Sequence, residues 1–400
     1  MKIVRDRNPK THFWLPVCFR NHNFFWALSA CCLLILSACG NKENNLTKAG
    51  LDPANYAGEY NGKPTSLHTL RNANGMEVSI TNFGGRVVGM SVPDKDGNFR
   101  DVVLGFDDVK SYFPENNQTD FGASIGRYAN RIDHGKLPIN GDTIQLPVNN
   151  FGHTLHGGPT GWQYQVYDVK EVNDSSITLT IESQAGDNNF PGKVEATVIY
   201  TLRNDNSLDI SYSATTDAPT VINMTNHSYF NLSGNPKNSI AAHTLKLNSS
   251  SFTPVDSTFM VNGEIRSVEN TPMDFRTAHP VGDFLTQFSD EQIKNANGYD
   301  HNFVLDTKGD ISIPAAVLYS PETSIELEVF TTEPGIQVYS GNFLDGSITG
   351  KKGIVYEKNA GLCLETQHYP DSPNHPEWPS TLLNPGQEYK SNTIYKFSIK

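Results

Sequence analysis

The chain has 400 residues, 37% of them hydrophobic and 18% charged, with a formal net charge of −12. Such an acidic surface repels phosphate backbones and argues against nucleic acid as a partner. Four of the five cysteines fall within the first 39 residues and leave Cys363 alone afterwards, which excludes a disulfide framework for the main body.

Residues 1–38 read as a removable leader. Lys2, Arg5, Arg7, Lys10 and Arg20 form a basic start, and an apolar run follows from Phe24 to Leu36. That run is shorter than the about 20 residues of a membrane span. Leu36-Ser37-Ala38-Cys39 resembles a bacterial lipobox, which makes Cys39 the expected lipidation site. By the same resemblance, Gly40 behind it favours a lipid-anchored place in the cell envelope, at the outer membrane or periplasmic face. The anchor would be the only contact with a membrane. Residues 39–52, rich in Asn and Lys up to Gly50, read as a flexible tether. Loss of the leader removes five basic residues and one acid and takes the net charge from −12 to −16.

Residues 53–400 show no composition break and read as a single domain. Period-two alternation runs through them: Ile177, Leu179 and Ile181; Leu208, Ile210, Tyr212 and Ala214; Ile325, Leu327 and Val329; then Tyr395 to Lys400. Each set predicts a half-buried strand. Asn61-Gly62, Asn74-Gly75, Asp96-Gly97, Asn140-Gly141 and Asn262-Gly263 supply turn signals. Helical periodicity is confined to short stretches such as Gly282 to Ala296. No repeat of 20–50 residues recurs, which argues against a propeller. An all-β fold, one large antiparallel β-sandwich, is the expectation. Without bridges or an evident structural metal, its stability must come from a large core.

Polar clusters interrupt the strands. They are Gly126-Arg127-Tyr128-Ala129-Asn130-Arg131-Ile132, Thr154-Leu155-His156-Gly157-Gly158, Asn226-His227-Ser228-Tyr229-Phe230-Asn231-Leu232 and Gly298-Tyr299-Asp300-His301-Asn302-Phe303. Pro334 to Asn342, containing Gln337, and Leu364-Glu365-Thr366-Gln367 complete the set. Singly, each has an ordinary explanation as a turn, an exposed strand residue or a surface ion pair.

Together, and in this order, they resemble the galactose mutarotase (aldose 1-epimerase) family from about Tyr60 to Lys400. The resemblance implies a mutarotase-like supersandwich with a sugar in a cleft on one open face. It implies an isomerase that interconverts α- and β-anomers of aldohexoses such as galactose and glucose. His227 matches the family's proton donor and Glu365 its proton acceptor. Asn130, Arg131, His156, Asp300 and Gln337 match residues that hold sugar hydroxyls or polarise the reacting end. No cofactor is required by such a reaction; a bound calcium ion on Asp and Asn oxygens remains compatible with the sequence.

The residue types suit this chemistry. Ring opening needs a base at the C1 hydroxyl and an acid at the ring oxygen. Glutamate near 4.3 and histidine near 6.5 supply them around neutral pH. Tyr229, Phe303 and Trp162 are candidates to stack on a sugar face, although large rings more often belong to a core. Two other readings compete. A glycoside hydrolase would pair Asp300 with Glu365 but has no call for the histidine clusters. A non-catalytic sugar-binding lipoprotein of a glycan-use system has no need for an acid–base pair. His153, His156 and His301 lack zinc-ligand spacing, so no metal site is expected. The partner is a small aldose sugar, and the expected state is a monomer.

Overall fold

Alternating side chains build this molecule as two packed layers. The computed structural model describes residues 46–400. Its largest sheet is antiparallel and nine-stranded, in the spatial order Asp168–Val172, Ser176–Ser183, Val194–Leu202, Ser207–Thr216, Tyr389–Ile399, Ile325–Thr331, Ala316–Tyr319, Thr244–Leu247 and His279–Pro280. Val194–Leu202 shows the cause: Val194, Ala196, Val198, Tyr200 and Leu202 are buried while the residues between them face outward. The strands expected from the alternation of Ile177, Leu208, Ile325 and Tyr395 all lie in this sheet.

A second sheet of six strands runs in the order Tyr229–Phe230, Leu362–Gln367, Gly335–Tyr339, Asp300–Leu305, Ser249–Thr253 and Arg266–Ser267. Two of its strands, Gly335–Tyr339 and Leu362–Gln367, are buried at every position because both of their faces are covered. Ile336, Val338, Leu362 and Leu364 meet Leu179, Val198, Ile210, Leu327 and Tyr395 of the first sheet in one core. Full burial of such side chains contributes about 1.5–3 kcal/mol each, which is how the sandwich holds without disulfides. A four-stranded sheet, Leu67–Arg71, Glu77–Thr81, Arg86–Pro93 and Phe99–Asp101, adds Leu70, Val78 and Met90 to the same core.

Turn chemistry follows the sequence at two tight hairpins. Asn61-Gly62 joins Gly58–Tyr60 to Lys63–Thr65, and Asn140-Gly141 joins Lys136–Ile139 to Asp142–Gln145, all four turn residues with positive φ. The only α-helix among the described residues is Glu291–Ala296, shorter than the stretch expected from Gly282. Asp290 caps it by accepting from the N–H groups of Gln292 and Ile293, and Asn297 ends it in the left-handed region. None of the described helices is long and apolar enough to cross a membrane.

The leader and Cys39 lie outside the described residues, as does the tether up to residue 45. Its last part differs from expectation. Thr47, Ala49 and Leu51 are buried, and the Leu51 N–H donates to Thr47 Oγ1 at 3.1 Å. Ala49 and Leu51 press against Gly89, whose missing side chain leaves the space they fill. The packed body therefore begins before residue 53.

Candidate active site

The period of two that builds the core also builds the site. On Leu362–Gln367, Leu362 and Leu364 enter the core, so Cys363 and Glu365 face the other way. On Gly335–Tyr339 the same logic sends Ile336 and Val338 inward and leaves Gln337 and Tyr339 beside Glu365 and Cys363. The register fixes the neighbours: Gln337 lies opposite Glu365, and Asp300 opposite Tyr339.

Loops from the other end of the chain cover this face. Asn130, at φ 64, accepts from the Arg131 N–H on its own Oδ1 at 2.8 Å. Arg131 and Leu155 are paired through the short ladder Arg131–Ile132 with Thr154–Leu155. The Asn130 N–H donates to Nδ1 of His156 at 3.1 Å, which leaves Nε2 of a neutral His156 to carry the hydrogen. Ser124–Ile125 pairs with Thr225–Asn226 and delivers His227, whose N–H donates to Ala123 O at 2.9 Å.

The result is a cavity of about 270 Å³, on the scale of a small ligand. The expected site residues Asn130, Arg131, His156, His227, Asp300, Gln337 and Glu365 all line it. His227 Nε2 stands 3.5 Å from Glu365 Oε2. The His156 and His227 rings meet edge to face at 5.2 Å, and Tyr229 stacks on His227 at 5.1 Å. Gln337 Nε2 donates to Asp300 Oδ1 at 2.6 Å, and Arg131 Nη2 donates to Asn150 Oδ1 at 2.8 Å. The Arg131 guanidinium also lies over the Phe259 ring, 4.9 Å from its centre.

Several buried polar atoms of this cavity have no partner among the described residues: His227 Nδ1, Glu365 Oε2, Gln337 Oε1, Arg131 Nε and Asp120 Oδ1. Buried polar groups are seldom left so, and their convergence suits a ligand rich in hydroxyls. Burial shifts the titrating groups towards their neutral forms. It pushes His227 down to about 3 and His156 well below the ordinary histidine range. Burial, with the carboxylates of Asp300 and Asp120 adding to it, holds Glu365 well above the usual carboxylate range, while Arg131 opposes. Asp300 is likewise raised by burial against the pull of Arg131 and the Gln337 hydrogen bond.

Asp120, Tyr339, Phe343, Asn150 and Phe151 also line the cavity and were not expected there. For Tyr339 a signal existed, since it stands two residues from Gln337 on the same face. Asp120 stands in no recognisable cluster. Phe151 and Phe343, both half exposed, form an aromatic rim with Phe259. Of the three candidate stacking rings, Tyr229 lines the cavity, whereas Phe303 and Trp162 are buried in the core.

Three groups of side chains among the described residues stand close enough to share an ion: Asp120 with His156 and His227; His227 with Cys363 and Glu365; and Asp133 with His134 and His153. In the last, His153 Nδ1 already accepts the His134 N–H and Nε2 faces Thr258 Oγ1 at 2.9 Å, so its ring nitrogens are engaged. His301 has no place in the cavity; its Nδ1 accepts the Asp300 N–H.

Comparison with known proteins bears on this geometry. The family model for aldose 1-epimerase matches residues 66–396. The chain is 40% identical over 340 residues to an aldose 1-epimerase of Escherichia coli K12, covering 84% of this chain and 96% of that one. It is 40% identical over 324 residues to a mouse galactose mutarotase, covering 81% and 92%. Among solved structures, a GalM/aldose epimerase homologue from C. elegans superposes with a TM-score of 0.77 at 32% identity, covering 84% of this chain and 99% of that one. A galactose 1-epimerase from Lactobacillus acidophilus gives 0.75 at 28% identity, covering 86% and 97%.

Proposed function

The chain belongs to the aldose 1-epimerase family, a family of isomerases, and from that premise we propose that Glu365 and His227 interconvert the α- and β-anomers of aldohexoses such as galactose and glucose. The supporting observation is the 3.5 Å approach of His227 Nε2 to Glu365 Oε2 at the floor of a cavity ringed by hydroxyl-binding groups.

The Glu365 carboxylate takes the proton of the C1 hydroxyl while the His227 imidazolium protonates the ring oxygen. The C1–O5 bond breaks and leaves an open-chain aldehyde. Rotation about C1–C2 presents the other carbonyl face, and the two residues return their protons in reverse order as the ring closes. Atoms and electrons balance without an oxidant, so the reaction needs no organic cofactor and no metal. A calcium ion, if bound, would be an addition to this chemistry.

The pair carries one proton between its members. Burial favours that proton on Glu365, with both residues neutral. The reactive arrangement, anionic Glu365 and cationic His227, has the same net charge and differs only in where the proton sits. A bound sugar favours that arrangement: its C1 hydroxyl donates to the carboxylate and its ring oxygen accepts from the imidazolium. Arg131, which draws Glu365 towards ionisation, pulls in the same direction. Arg131, Asp300, Gln337, His156 and Asn130 orient the remaining hydroxyls.

Polarimetry of freshly dissolved α-D-galactose and α-D-glucose tests the reading. Purified protein is expected to bring the rotation to equilibrium faster than the spontaneous reaction, and His227→Asn or Glu365→Gln to abolish the acceleration. A wild-type protein that leaves the spontaneous rate unchanged refutes it.

A cellular setting follows from the leader and belongs to the same proposal. Lipidation of Cys39 would hold a monomeric enzyme at the cell envelope, where it meets incoming sugars. Labelling with a fatty-acid analogue is expected to mark the protein and to be lost with Cys39→Ala. Unlabelled protein in the cytosolic fraction would overturn the setting and leave the chemistry untouched.

A further inference from the structure

Asp120 has no part in the mechanism above, yet it stands against both histidines of the pocket. Its carboxylate and one ring nitrogen each of His156 and His227 lie within 4.8 Å of one another. Asp120 Oδ1 is buried without a hydrogen-bond partner among the described residues. The main chain around it is held on both sides. Arg86, fully buried, donates from Nη1 to the carbonyls of Thr119 at 3.1 Å and Phe121 at 3.0 Å. The Gly122 N–H donates to His227 O, and the His227 N–H to Ala123 O, both at 2.9 Å. The loop that carries Asp120 is therefore stitched to the residue proposed as proton donor.

Charge counting gives this placement a purpose. The reactive arrangement has three buried cations, Arg86, Arg131 and the His227 imidazolium. It has two buried anions, Asp300 and Glu365, until Asp120 is added. An unbalanced charge in such surroundings is costly. With Asp120 ionised, the site is neutral at the moment the proton sits on His227.

We propose that Asp120 is the counter-ion of the His227 imidazolium, a positioning residue that acts on the reaction through the histidine it faces. The inference rests on the reading of His227 as the proton donor. Arg86, His156 and His227 face Asp120 from three different segments, and Tyr164, Tyr229, Cys363 and Glu365 sense its charge. Burial pushes the Asp120 carboxyl up to about 6 and Arg86 pulls it back, which leaves it ionised above that pH.

The sign of the effect is distinctive. Asp120 favours the charged form of His227 and disfavours that of Glu365, so it raises the titration of both. Asp120→Asn removes one negative charge, and both limbs of the kcat–pH profile move the same way, to lower pH. Two charges about 5 Å apart at the effective dielectric of a protein interior correspond to a shift of about 1–2 pH units. On the alkaline side, at pH 8, kcat then falls about 10-fold to 100-fold while KM stays within about twofold.

The test is kcat and KM from polarimetry between pH 5 and 9 for wild type, Asp120→Asn, Asp120→Glu and Asp120→Ala, each checked for folding by thermal melting. Asp120→Glu, which keeps the charge, is expected to return both limbs most of the way. Asp120→Ala, read in the same way, stands in if the amide of Asn disturbs the loop. Unmoved limbs overturn the proposal, and so do limbs that move apart. A raised KM with an unmoved profile overturns it too, because Asp120 would then be a direct ligand of a sugar hydroxyl. A wild-type protein without activity defeats the functional reading and this role together; a wild-type profile that Asp120→Asn leaves in place defeats this role alone.

Discussion

Glu365→Gln separates the chemistry of the pocket from its stability, because the two respond to the same charge with opposite signs. Glu365 is 2% exposed, and its Oε2 has no hydrogen-bond partner among the described residues. Burial first, then Asp300 and Asp120, hold its carboxyl well above the ordinary value of 4.5, against Arg131. The folded chain thus holds this proton more tightly than the unfolded chain. That contribution is complete below about pH 4.5 and is lost as pH rises through the folded value. Glutamine has no such loss. The variant is expected to match wild type near pH 4.5 and to gain on it steadily up to pH 8. Each pH unit of displacement in the wild-type carboxyl is worth about 1.4 kcal/mol, and about 1 kcal/mol corresponds to about 1–3 °C in Tm for a domain this large. Activity moves the other way. Loss of a general base lowers kcat by about 10²–10⁴, about 3–5 kcal/mol of barrier. Paired melting curves at pH 5 and pH 8, with polarimetry on the same samples, read both effects. A variant that keeps the wild-type rate, or whose Tm advantage shrinks as pH rises, refutes the reasoning.

Lys351 is buried, and its ammonium donates to Asp101 and to Val88 O. Lys351→Met leaves the carboxylate without its cation and is expected to cost about 3–5 kcal/mol in urea unfolding, most of it recovered by adding Asp101→Leu. Gly122, between Asp120 and the residues zipped to His227, has φ +69, and a Cβ there would lie 1.9 Å from Val87 O. Gly122→Ala is therefore expected to lose about 3 kcal/mol or more and most of its soluble yield; a wild-type melting temperature would contradict it. His243, far from the cavity, accepts the Leu232 N–H at 2.9 Å on Nε2, and burial pushes it down from 6.5 to about 4. Its stabilising contribution is present above pH 6.5 and lost as pH falls towards 4, about 3 kcal/mol in all, so His243→Gln is expected to flatten acid unfolding in that window.

The sandwich was legible because its strands alternate. A run such as Leu208, Ile210, Tyr212 and Ala214 names both the strand and the face it buries. The same period, continued one residue over, places Glu365 opposite Gln337, so the strand-borne half of the site was readable once a single residue of it was fixed. The loop-borne half was legible only through clusters such as Ala129-Asn130-Arg131 and Leu155-His156-Gly157-Gly158. Asp120 carried no such mark. Its place is set by Arg86, 34 positions earlier, and by pairing with His227, 107 positions later, and neither contact leaves a local pattern. Residues 47–51 were misread as tether for a related reason. Lys and Asn dominate the stretch, yet Ala49 and Leu51 suffice to dock it because Gly89 leaves them room.

A dry pocket would be a poor place for acid–base work if its charges were free to neutralise themselves. Here every shift caused by burial runs towards neutrality: His227 and His156 down, Glu365, Asp300 and Asp120 up. What resists it is the pair of buried guanidiniums. Arg131 faces Asp300 and Glu365 from the sugar side, and Arg86 faces Asp120 from behind the histidines. Arginine stays charged in such surroundings where lysine would surrender its proton. Two fixed cations with three carboxylates leave one negative charge uncompensated, and a single proton cancels it. That proton is the one the reaction moves. The sandwich contributes rigid walls; the two arginines set the proton count, and the sugar decides whether the proton rests on Glu365 or on His227.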